Sequence, residues 1–231
     1  MKWINQFDLF LLDLDGLLVN TERLHYEAYL ALCNRRGFEL PWSFERYCSV
    51  AHAGAGDIKK AILEELPDLA RAEPDWNILY SEKKSHFFEL LEGENLELME
   101  GVQPFLEALA SSGRKRCVAT NSTAQQVSEI RRRLPILETI PVWITREQYT
   151  YAKPAPDGYL KAKELLADPG DKIIGFEDTL KGVKALQAAS VQPVLICLKD
   201  HPQLQQEGAL KGVSHFETFT QLNSVHRVVF F

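Results

Sequence analysis

The chain has 231 residues, of which 45% are hydrophobic and 25% charged, and its formal net charge at pH 7 is −6. This length is enough to bury a sizeable core, and the acidic balance gives no reason to expect a nucleic-acid partner, whose phosphates need clustered Lys and Arg. No run approaches the roughly 18 consecutive apolar residues of a membrane-spanning helix, so no membrane partner is expected. Four scattered cysteines without a Cys-x-x-Cys pair and an N-terminus unlike a signal peptide favour a soluble, cytoplasmic protein.

Short apolar runs alternate with longer helix-like segments through most of the chain. The first run, FDLFLLDLD (7–15), ends in two aspartates, and three of the four later runs also end in polar residues. Such runs are typical of buried parallel strands whose carboxyl ends face a site. The predicted strands are 7–15, 115–121, 141–146, 172–178 and 192–198, and the predicted helices between them are 102–112, 123–134, 156–167 and 179–190. This alternation predicts an α/β fold with a doubly wound, mostly parallel, Rossmann-like sheet.

The segment from residue 21 to residue 96 interrupts the alternation because it contains no convincing strand. Its helix-like stretches are 21–37, 55–67 and 76–93, and Gly37 predicts the end of the first of them. A helical insertion directly after the first strand indicates a cap domain on a larger core. The predicted domains are therefore an α/β core of 1–20 and 97–231 and an α-helical cap of 21–96.

Asp13 and Asp15 stand at the end of the first predicted strand. Alternate residues of a strand point to the same face, so the spacing crowds the two carboxylates together. Crowded like charges cost free energy unless a cation lies between them or one of them is protonated. Since the other strand ends supply further carboxylates but no His or Cys, Mg²⁺ is the ion that such a cluster suits.

The other predicted strand ends carry groups suited to a phosphate. Thr120 and Asn121 end the second strand, Lys153 follows the third, and Glu177 and Asp178 end the fourth. Singly, each has an ordinary structural explanation: a helix N-cap, a solvated loop lysine, and acids that complement a helix dipole. Together with the aspartate pair and Mg²⁺ they indicate phosphoryl transfer, in which a carboxylate attacks phosphorus while hydroxyl, amide and ammonium groups hold the equatorial oxygens.

Four segments of the chain (DLDGLLVNTE, ATNS, KPAPD and GFEDTLKG) occur in the order and spacing of the four motifs of the haloacid dehalogenase superfamily. From residue 7 to about 200 the chain resembles the branch of the β-phosphoglucomutases and phosphoglycolate phosphatases, which carries a small helical cap between the first two motifs. The resemblance implies Mg²⁺ as cofactor and phosphoester chemistry. It does not imply dehalogenation, because the dehalogenases of the superfamily lack the second aspartate of the first motif.

The resemblance also implies a role for each motif residue. Asp13 is the expected nucleophile, and Asp15 is the expected general acid and base. Lys153 is the expected charge-stabilising lysine, Thr120 completes the catalytic set on the phosphate-binding motif, and Asn121 beside it is expected to bind substrate. The implied metal ligands are Asp13, Asp15 through its backbone carbonyl, Asp178 and, directly or through water, Glu177.

The predicted cap carries the candidates for substrate choice. His25 and Lys84 match cap-side positions that β-phosphoglucomutases use near the acid/base aspartate, although a packed histidine and a solvated lysine are the alternatives. The loop at 51–57 resembles the specificity loop in which the mutases present an arginine to a distal phosphate, but this chain has Ala55 and glycines there. Losing a bidentate arginine contact weakens binding of a second phosphate, so a phosphatase is favoured over a mutase.

The expected function is therefore that of a Mg²⁺-dependent phosphatase, which hydrolyses a small phosphomonoester such as a sugar phosphate through an aspartyl-phosphate on Asp13. A phosphomutase is the alternative among enzymes, and a non-catalytic binding module that kept the fold is the alternative outside them. The expected partner is a small phosphorylated metabolite, and the expected assembly is a monomer or a homodimer. The segment 226–231 (HRVVFF) is compatible with a last strand, a packing anchor or a dimer contact.

Overall fold

The structure, a computed structural model, describes residues 1–52, 57–93, 96–205 and 208–225. It divides into two compact units: a core unit of Met1–Asn20 with Glu97–Phe231, and a helical unit of Thr21–Leu96. The segment 226–231 and residues 53–56 of the predicted specificity loop lie outside the described residues. In the part of the chain that is described, no helix has both the length and the apolar character needed to cross a membrane.

The described part of the helical unit contains five helices. They are α1 (Glu22–Arg35), α2 (Phe44–Ala51), α3 (Asp57–Glu65), α4 (Pro67–Ala72) and α5 (Trp76–Gly93). α1 lies against α5, and the fully buried Leu32 and Leu79 belong to a hydrophobic cluster within this unit. α1 ends two residues before Gly37, whose φ of +81° is the left-handed conformation that glycine adopts after a helix. The sequence pattern predicts α1, α3 and α5 but misses the short α2 and α4.

The core unit is built on a sheet with six strands in the described residues. They are β1 (Leu9–Leu12), β2 (Lys115–Ala119), β3 (Val142–Ile144), β4 (Ile173–Glu177), β5 (Gln192–Ile196) and β6 (Ser214–Phe216). Their order is β3-β2-β1-β4-β5-β6, and all neighbouring strands are parallel. The predicted α/β fold with a parallel, doubly wound sheet is confirmed. The sequence pattern misses β6, because its three residues are only half-buried.

The helices of the core unit follow the strands closely. They are α6 (Val102–Ser111), α7 (Ala124–Arg133), α8 (Asp157–Leu166), α9 (Leu180–Ala188) and α10 (Phe219–Ser224). The Thr123 hydroxyl accepts a hydrogen bond from the backbone of Gln126 at the start of α7, and the Thr179 hydroxyl accepts one from Gly182 at the start of α9. These N-caps begin each helix a few residues after its strand, so β2 and β4 lead into short, well-defined loops.

β1 is buried on both faces, as a central parallel strand should be. Leu9 and Leu11 pack into a cluster with side chains of α8 and α9. Phe10 stacks on Phe176 of β4 with 6.4 Å between ring centroids, among further aromatic rings that include side chains of α6 and α10. Because side chains alternate along a strand, the next odd-numbered position, Asp13, continues the Leu9–Leu11 face.

Candidate active site

The carboxyl ends of β1, β2 and β4 meet at one edge of the sheet. Asp13 follows β1, Thr120 follows β2, and Glu177 is the last residue of β4. The pairing of Leu12 with Phe176 makes Asp13 and Glu177 neighbours across the two strands. The backbone N–H of Asp13 also donates a hydrogen bond of 3.1 Å to the carbonyl of Phe176, which extends the parallel pairing up to the site. The topology thus brings together acids that are more than 160 residues apart in the chain.

Lys153 brings an ammonium group to this edge of the sheet. Its Nζ is hydrogen-bonded to Oδ1 of Asp13 and lies 2.7 Å from Oε1 of Glu177. All three side chains are buried, with exposed fractions of 6% for Lys153, 11% for Asp13 and 1% for Glu177. One buried ammonium therefore holds two neighbouring carboxylates, and the structure brings these three predicted site residues together.

The charges in this group shift one another's protonation. Burial raises the pKa of Asp13 to about 7; the ammonium of Lys153 opposes that rise, and the carboxylates of Glu177 and Asp15 add to it. Burial lowers the pKa of Lys153, but its attraction to Asp13 and Glu177 outweighs burial and holds that pKa well above its ordinary value. The lysine thus stays charged, and Asp13 needs further positive charge nearby to be fully ionised at neutral pH.

Asp15 has different partners from Asp13. Its Oδ2 accepts a hydrogen bond of 2.6 Å from the Ser122 hydroxyl and one of 3.3 Å from the Thr120 hydroxyl. The Thr120 oxygen in turn accepts a bond of 3.0 Å from the backbone N–H of Ser122, so the two hydroxyls belong to one turn after β2. Thr120 is predicted from the sequence, whereas Ser122 is missed as a site residue although it stands in the same Thr-Asn-Ser cluster.

Asn121 holds the loop that carries the lysine. Its Oδ1 accepts a bond of 3.2 Å from the backbone N–H of Lys153 and one of 2.8 Å from the hydroxyl of Tyr149. The same hydroxyl lies 2.7 Å from the backbone carbonyl of Thr120. The carbonyl side of the Asn121 amide is therefore committed to joining the turn after β2 to the loop before α8.

Three carboxylates at this edge form a group that could hold a metal ion. One oxygen each of Asp13, Glu177 and Asp178 lies within 4.8 Å of the others. Gly16 lets Asp178 reach this group, since a Cβ at Gly16 would collide with the Asp178 carboxylate. A donor set made only of carboxylate oxygens fits Mg²⁺, which binds hard oxygen ligands. Among the described residues the Asp15 carboxylate is not a member of this group, and its Oδ2 faces the Ser122 and Thr120 hydroxyls instead.

Two further residues at the site carry no recognisable sequence signal. The buried hydroxyl of Tyr159 in α8 donates a hydrogen bond to Oε1 of Glu177. The buried amide of Gln203 donates a bond of 2.7 Å to the backbone carbonyl of Asp178 and accepts one of 2.8 Å from the N–H of Leu180. Tyr159 and Gln203 are 18 or more residues from the groups that they contact, so these contacts are visible only in the folded chain.

The helical unit places the two predicted cap residues differently. Lys83 Nζ lies 2.6 Å from Nδ1 of His25, and His25 stacks on Phe87 with 4.3 Å between ring centroids. Lys83 is 3% exposed, whereas Lys84 is half-buried with its Nζ 5.5 Å from the ring centroid of Tyr80. The structure therefore joins His25 to Lys83 and not to the predicted Lys84. The spacing of the buried Leu79 and Phe87 around residue 83 is the helical signal that distinguishes the two lysines.

Comparisons with known proteins place the chain in one family. A model of the haloacid dehalogenase-like hydrolases matches residues 7–190. A phosphorylated carbohydrates phosphatase from Thermotoga maritima is 29% identical over 92% of this chain and 97% of its own length. The protein CbbY from Rhodobacter capsulatus is 27% identical over 79% and 82%, and a β-phosphoglucomutase from Mycobacterium bovis is 27% identical over 80% and 79%.

Solved structures share the fold. A mutant of CbbY from Rhodobacter sphaeroides, in complex with xylulose-1,5-bisphosphate, matches with a TM-score of 0.75 at 22% identity and covers 94% of this chain and 96% of its own. A β-phosphoglucomutase from Clostridium difficile matches with a TM-score of 0.74 at 20% identity and covers 94% and 93%. The resemblance found in the sequence motifs is thus confirmed: the chain belongs to the haloacid dehalogenase-like hydrolase family of enzymes.

Proposed function

We propose that this protein is a Mg²⁺-dependent phosphatase that hydrolyses a small phosphomonoester through an aspartyl-phosphate on Asp13. The observation that carries the proposal is the arrangement at the end of β1. There Asp13 is held by the ammonium of Lys153, while Asp15, two residues further on, is held by two hydroxyls. Two carboxylates in different surroundings are suited to two different tasks in one reaction.

In the first step a carboxylate oxygen of Asp13 attacks phosphorus in line with the leaving oxygen. The bond between phosphorus and the leaving oxygen breaks, and protonated Asp15 donates its proton to that oxygen, so the product departs as an alcohol. Oδ2 of Asp15 accepts hydrogen bonds from Ser122 and Thr120, and these bonds orient the carboxyl group for the proton transfer.

In the second step water attacks the phosphorus of the aspartyl-phosphate. Asp15 accepts a proton from this water, and the bond between phosphorus and Asp13 breaks. Inorganic phosphate is released, the Asp13 carboxylate is restored, and Asp15 is again protonated. In both steps the ammonium of Lys153 stabilises the charge on the equatorial oxygens, while the Thr120 hydroxyl keeps its bond to Asp15.

The residues that would hold Mg²⁺ are Asp13 and Asp178, the backbone carbonyl of Asp15 and, directly or through water, Glu177. When bound, Mg²⁺ supplies positive charge to the phosphoryl oxygens and to the crowded carboxylates. This charge also favours the ionised, nucleophilic form of Asp13, whose pKa burial raises to about 7 in the protein's own surroundings.

A phosphorylated carbohydrate is the substrate class that we propose. The Thermotoga relative is named a phosphorylated carbohydrates phosphatase and matches this chain over nearly its full length. The segment 51–57 has no arginine for a distal phosphate, which supports a monophosphate as the substrate. We place substrate binding on Asn121, whose amide nitrogen lies opposite the carbonyl oxygen that is committed to Tyr149 and Lys153.

The test measures phosphate release from a panel of sugar phosphates, phosphoglycolate and nucleotides, with Mg²⁺ and with EDTA. Wild type should release phosphate from at least one sugar phosphate, and both EDTA and Asp13→Asn should reduce the rate to the background. Asp8→Asn is the matched control, because Asp8 precedes the same strand at its opposite end and pairs with Arg114. Absence of turnover on the whole panel by folded, Mg²⁺-loaded wild type would contradict the proposal.

A phosphomutase is the second candidate, and the relatives named β-phosphoglucomutase are the observation that favours it. A mutase returns the phosphoryl group to a second hydroxyl of the sugar instead of to water. Incubation with β-glucose 1-phosphate and a trace of glucose 1,6-bisphosphate separates the two functions. Appearance of glucose 6-phosphate without free phosphate would identify the mutase, and release of free phosphate would support the phosphatase.

A further inference from the structure

The proposed chemistry makes no use of Tyr159, a buried tyrosine next to its centre. Tyr159 lies in the first turn of α8 and is 1% exposed. Its hydroxyl donates a hydrogen bond to Oε1 of Glu177. A buried tyrosine hydroxyl normally finds one partner, and here that partner is a carboxylate of the site itself.

Tyr159 contacts both members of a buried ion pair. The oxygen that accepts its hydrogen bond, Oε1 of Glu177, also lies 2.7 Å from Nζ of Lys153. The same Nζ lies 4.8 Å from the centroid of the Tyr159 ring, within the distance of a cation–π contact. The hydroxyl of Tyr159 therefore holds the Glu177 carboxylate by a hydrogen bond, and its ring face stabilises the Lys153 ammonium by a cation–π contact.

The Glu177 carboxylate is also enclosed on another side. It lies against the backbone of Gly182 in α9, where a Cβ would collide with the carboxylate carbon and both of its oxygens. With Gly182 on one side and Tyr159 and Lys153 as partners, Glu177 keeps one side-chain conformation. In that conformation Oε1 of Glu177 forms the ion pair with the ammonium of Lys153.

We propose that Tyr159 is a positioning residue: it locks Glu177 as the counter-ion of Lys153 and thereby aims the ammonium at Asp13. Lys153 has two carboxylate partners, and its place between them depends on where Glu177 stands. Without the Tyr159 hydroxyl, Glu177 loses a hydrogen-bond donor and the ammonium is no longer held in line with Asp13. This inference rests on the proposed function, since the aim of Lys153 matters for catalysis only if Asp13 carries the phosphoryl group.

Tyr159→Phe tests the proposal because it removes the hydroxyl and keeps the ring. We expect kcat for the best phosphomonoester to fall about 10-fold, as expected for the loss of one hydrogen bond to a charged group. We expect KM and the Mg²⁺ dissociation constant from calorimetry to stay within about twofold, because substrate and metal contacts remain. Tyr26→Phe is the matched control; it removes a hydroxyl bond of 2.6 Å to the Trp42 carbonyl in the helical unit and should leave kcat unchanged.

Two results would overturn the proposal. One is an unchanged kcat in Tyr159→Phe. The other is a Mg²⁺ affinity that falls about 10-fold while kcat recovers at saturating Mg²⁺, because Tyr159 would then orient Glu177 toward the metal. If Tyr159→Phe does not fold, Gly182→Ala displaces the same carboxylate from the opposite side, and the same loss of kcat is expected.

Crystal structures of wild type and Tyr159→Phe separate this inference from the proposed function. The inference expects the ammonium of Lys153 to move away from Oδ1 of Asp13 in the variant, whatever the substrate. An unmoved ammonium would contradict the inference even in an active phosphatase. A wild type that is inactive on the whole phosphate panel would instead contradict the proposed function.

Discussion

The hydroxyl of Ser122 donates a hydrogen bond of 2.6 Å to Oδ2 of Asp15, although the two residues are 107 positions apart in the chain. This contact crosses from the end of β1 to the turn after β2, and it orients the carboxyl group that exchanges protons in the proposed mechanism. The orientation of the proposed acid thus depends on the neighbouring strand.

Ser122→Ala should lower kcat about 10-fold with little change in KM, since the stronger of two hydrogen bonds that orient Asp15 is lost. Steady-state kinetics on the best phosphomonoester measure the effect. Ser128→Ala, on the exposed side of α7, is the control and should match wild type. Equal kcat values for Ser122→Ala and wild type would show that the Thr120 hydroxyl alone suffices.

Gln203→Ala should weaken Mg²⁺ binding about 10-fold, because residues that support a ligand typically contribute a factor of 10 to 100 to metal affinity. The Gln203 amide joins the backbone on both sides of Thr179 and so holds Asp178 in place. Calorimetric titration with Mg²⁺ measures the change. Gln205→Ala, two residues on and exposed, should bind Mg²⁺ like wild type. Similar weakening in both variants would assign the effect to the loop as a whole.

Gly16→Ala and Gly113→Ala form a matched pair of substitutions at positive φ. Their φ values are +77° and +69°, so both should lose about 1–2 kcal/mol of unfolding free energy from the left-handed backbone. Only at Gly16 does a Cβ collide with the Asp178 carboxylate; at Gly113 nothing lies within 4 Å of it. We therefore expect weakened Mg²⁺ binding for Gly16→Ala alone. Urea denaturation and Mg²⁺ titration measure the two effects separately, and equal Mg²⁺ affinities would contradict the role given to Gly16.

Metal-free protein should lose stability as pH rises, and Asp13→Asn should reduce that loss. The pKa of Asp13 is raised from 3.8 to about 7, so the folded state binds this proton more tightly than the unfolded chain does. The free energy of unfolding therefore falls as pH rises through this interval and stays low above it.

In EDTA at pH 8 we expect Asp13→Asn to be more stable than wild type by on the order of 2 kcal/mol, because part of the gain is offset by the lost bond to Lys153. The difference should shrink toward pH 5. Urea denaturation from pH 5 to pH 8 measures it, with Asp8→Asn as a control for the loss of a carboxylate elsewhere. A difference that does not vary with pH would contradict the raised pKa.

The pairing of His25 with Lys83 predicts energetic coupling between these two residues. In a double-mutant cycle of His25→Ala and Lys83→Met, the effects on the free energy of unfolding should be non-additive by about 0.5–3 kcal/mol. The cycle with Lys84→Met should be additive within about 0.5 kcal/mol, since Lys84 is not paired with His25. Coupling of His25 to Lys84 instead of Lys83 would contradict the pairing seen in the structure.

The elements that carry the motifs could be predicted because each combines a local pattern with a local signal. The run that contains β1 is apolar from Leu9 to Leu12, and the predicted helices 123–134 and 179–190 begin at the threonines that are the N-caps of α7 and α9 in the structure. β6 and the helices α2, α4 and α10 were missed, because segments of three to eight residues show too little periodicity.

The supporting residues of the site could not be predicted in the same way. Tyr159 and Gln203 act on Glu177 and Asp178 through hydrogen bonds that only the tertiary fold creates. A tyrosine in a helix and a glutamine in a loop look ordinary in sequence. Lys83, in contrast, is predictable from the sequence, because it lies four residues from both Leu79 and Phe87 on the buried face of α5.

The central position of β1 has a consequence for synthesis of the protein. β1 ends at residue 12, but its two neighbours begin at residues 115 and 173. At about 5–20 residues per second, a ribosome needs roughly ten to thirty seconds between making β1 and making β4. Until residue 115 has been made, the apolar Leu9–Leu12 segment has neither of its neighbouring strands, and until residue 173 it has only β2. β1 can therefore be paired on both sides only after about three quarters of the chain has been made.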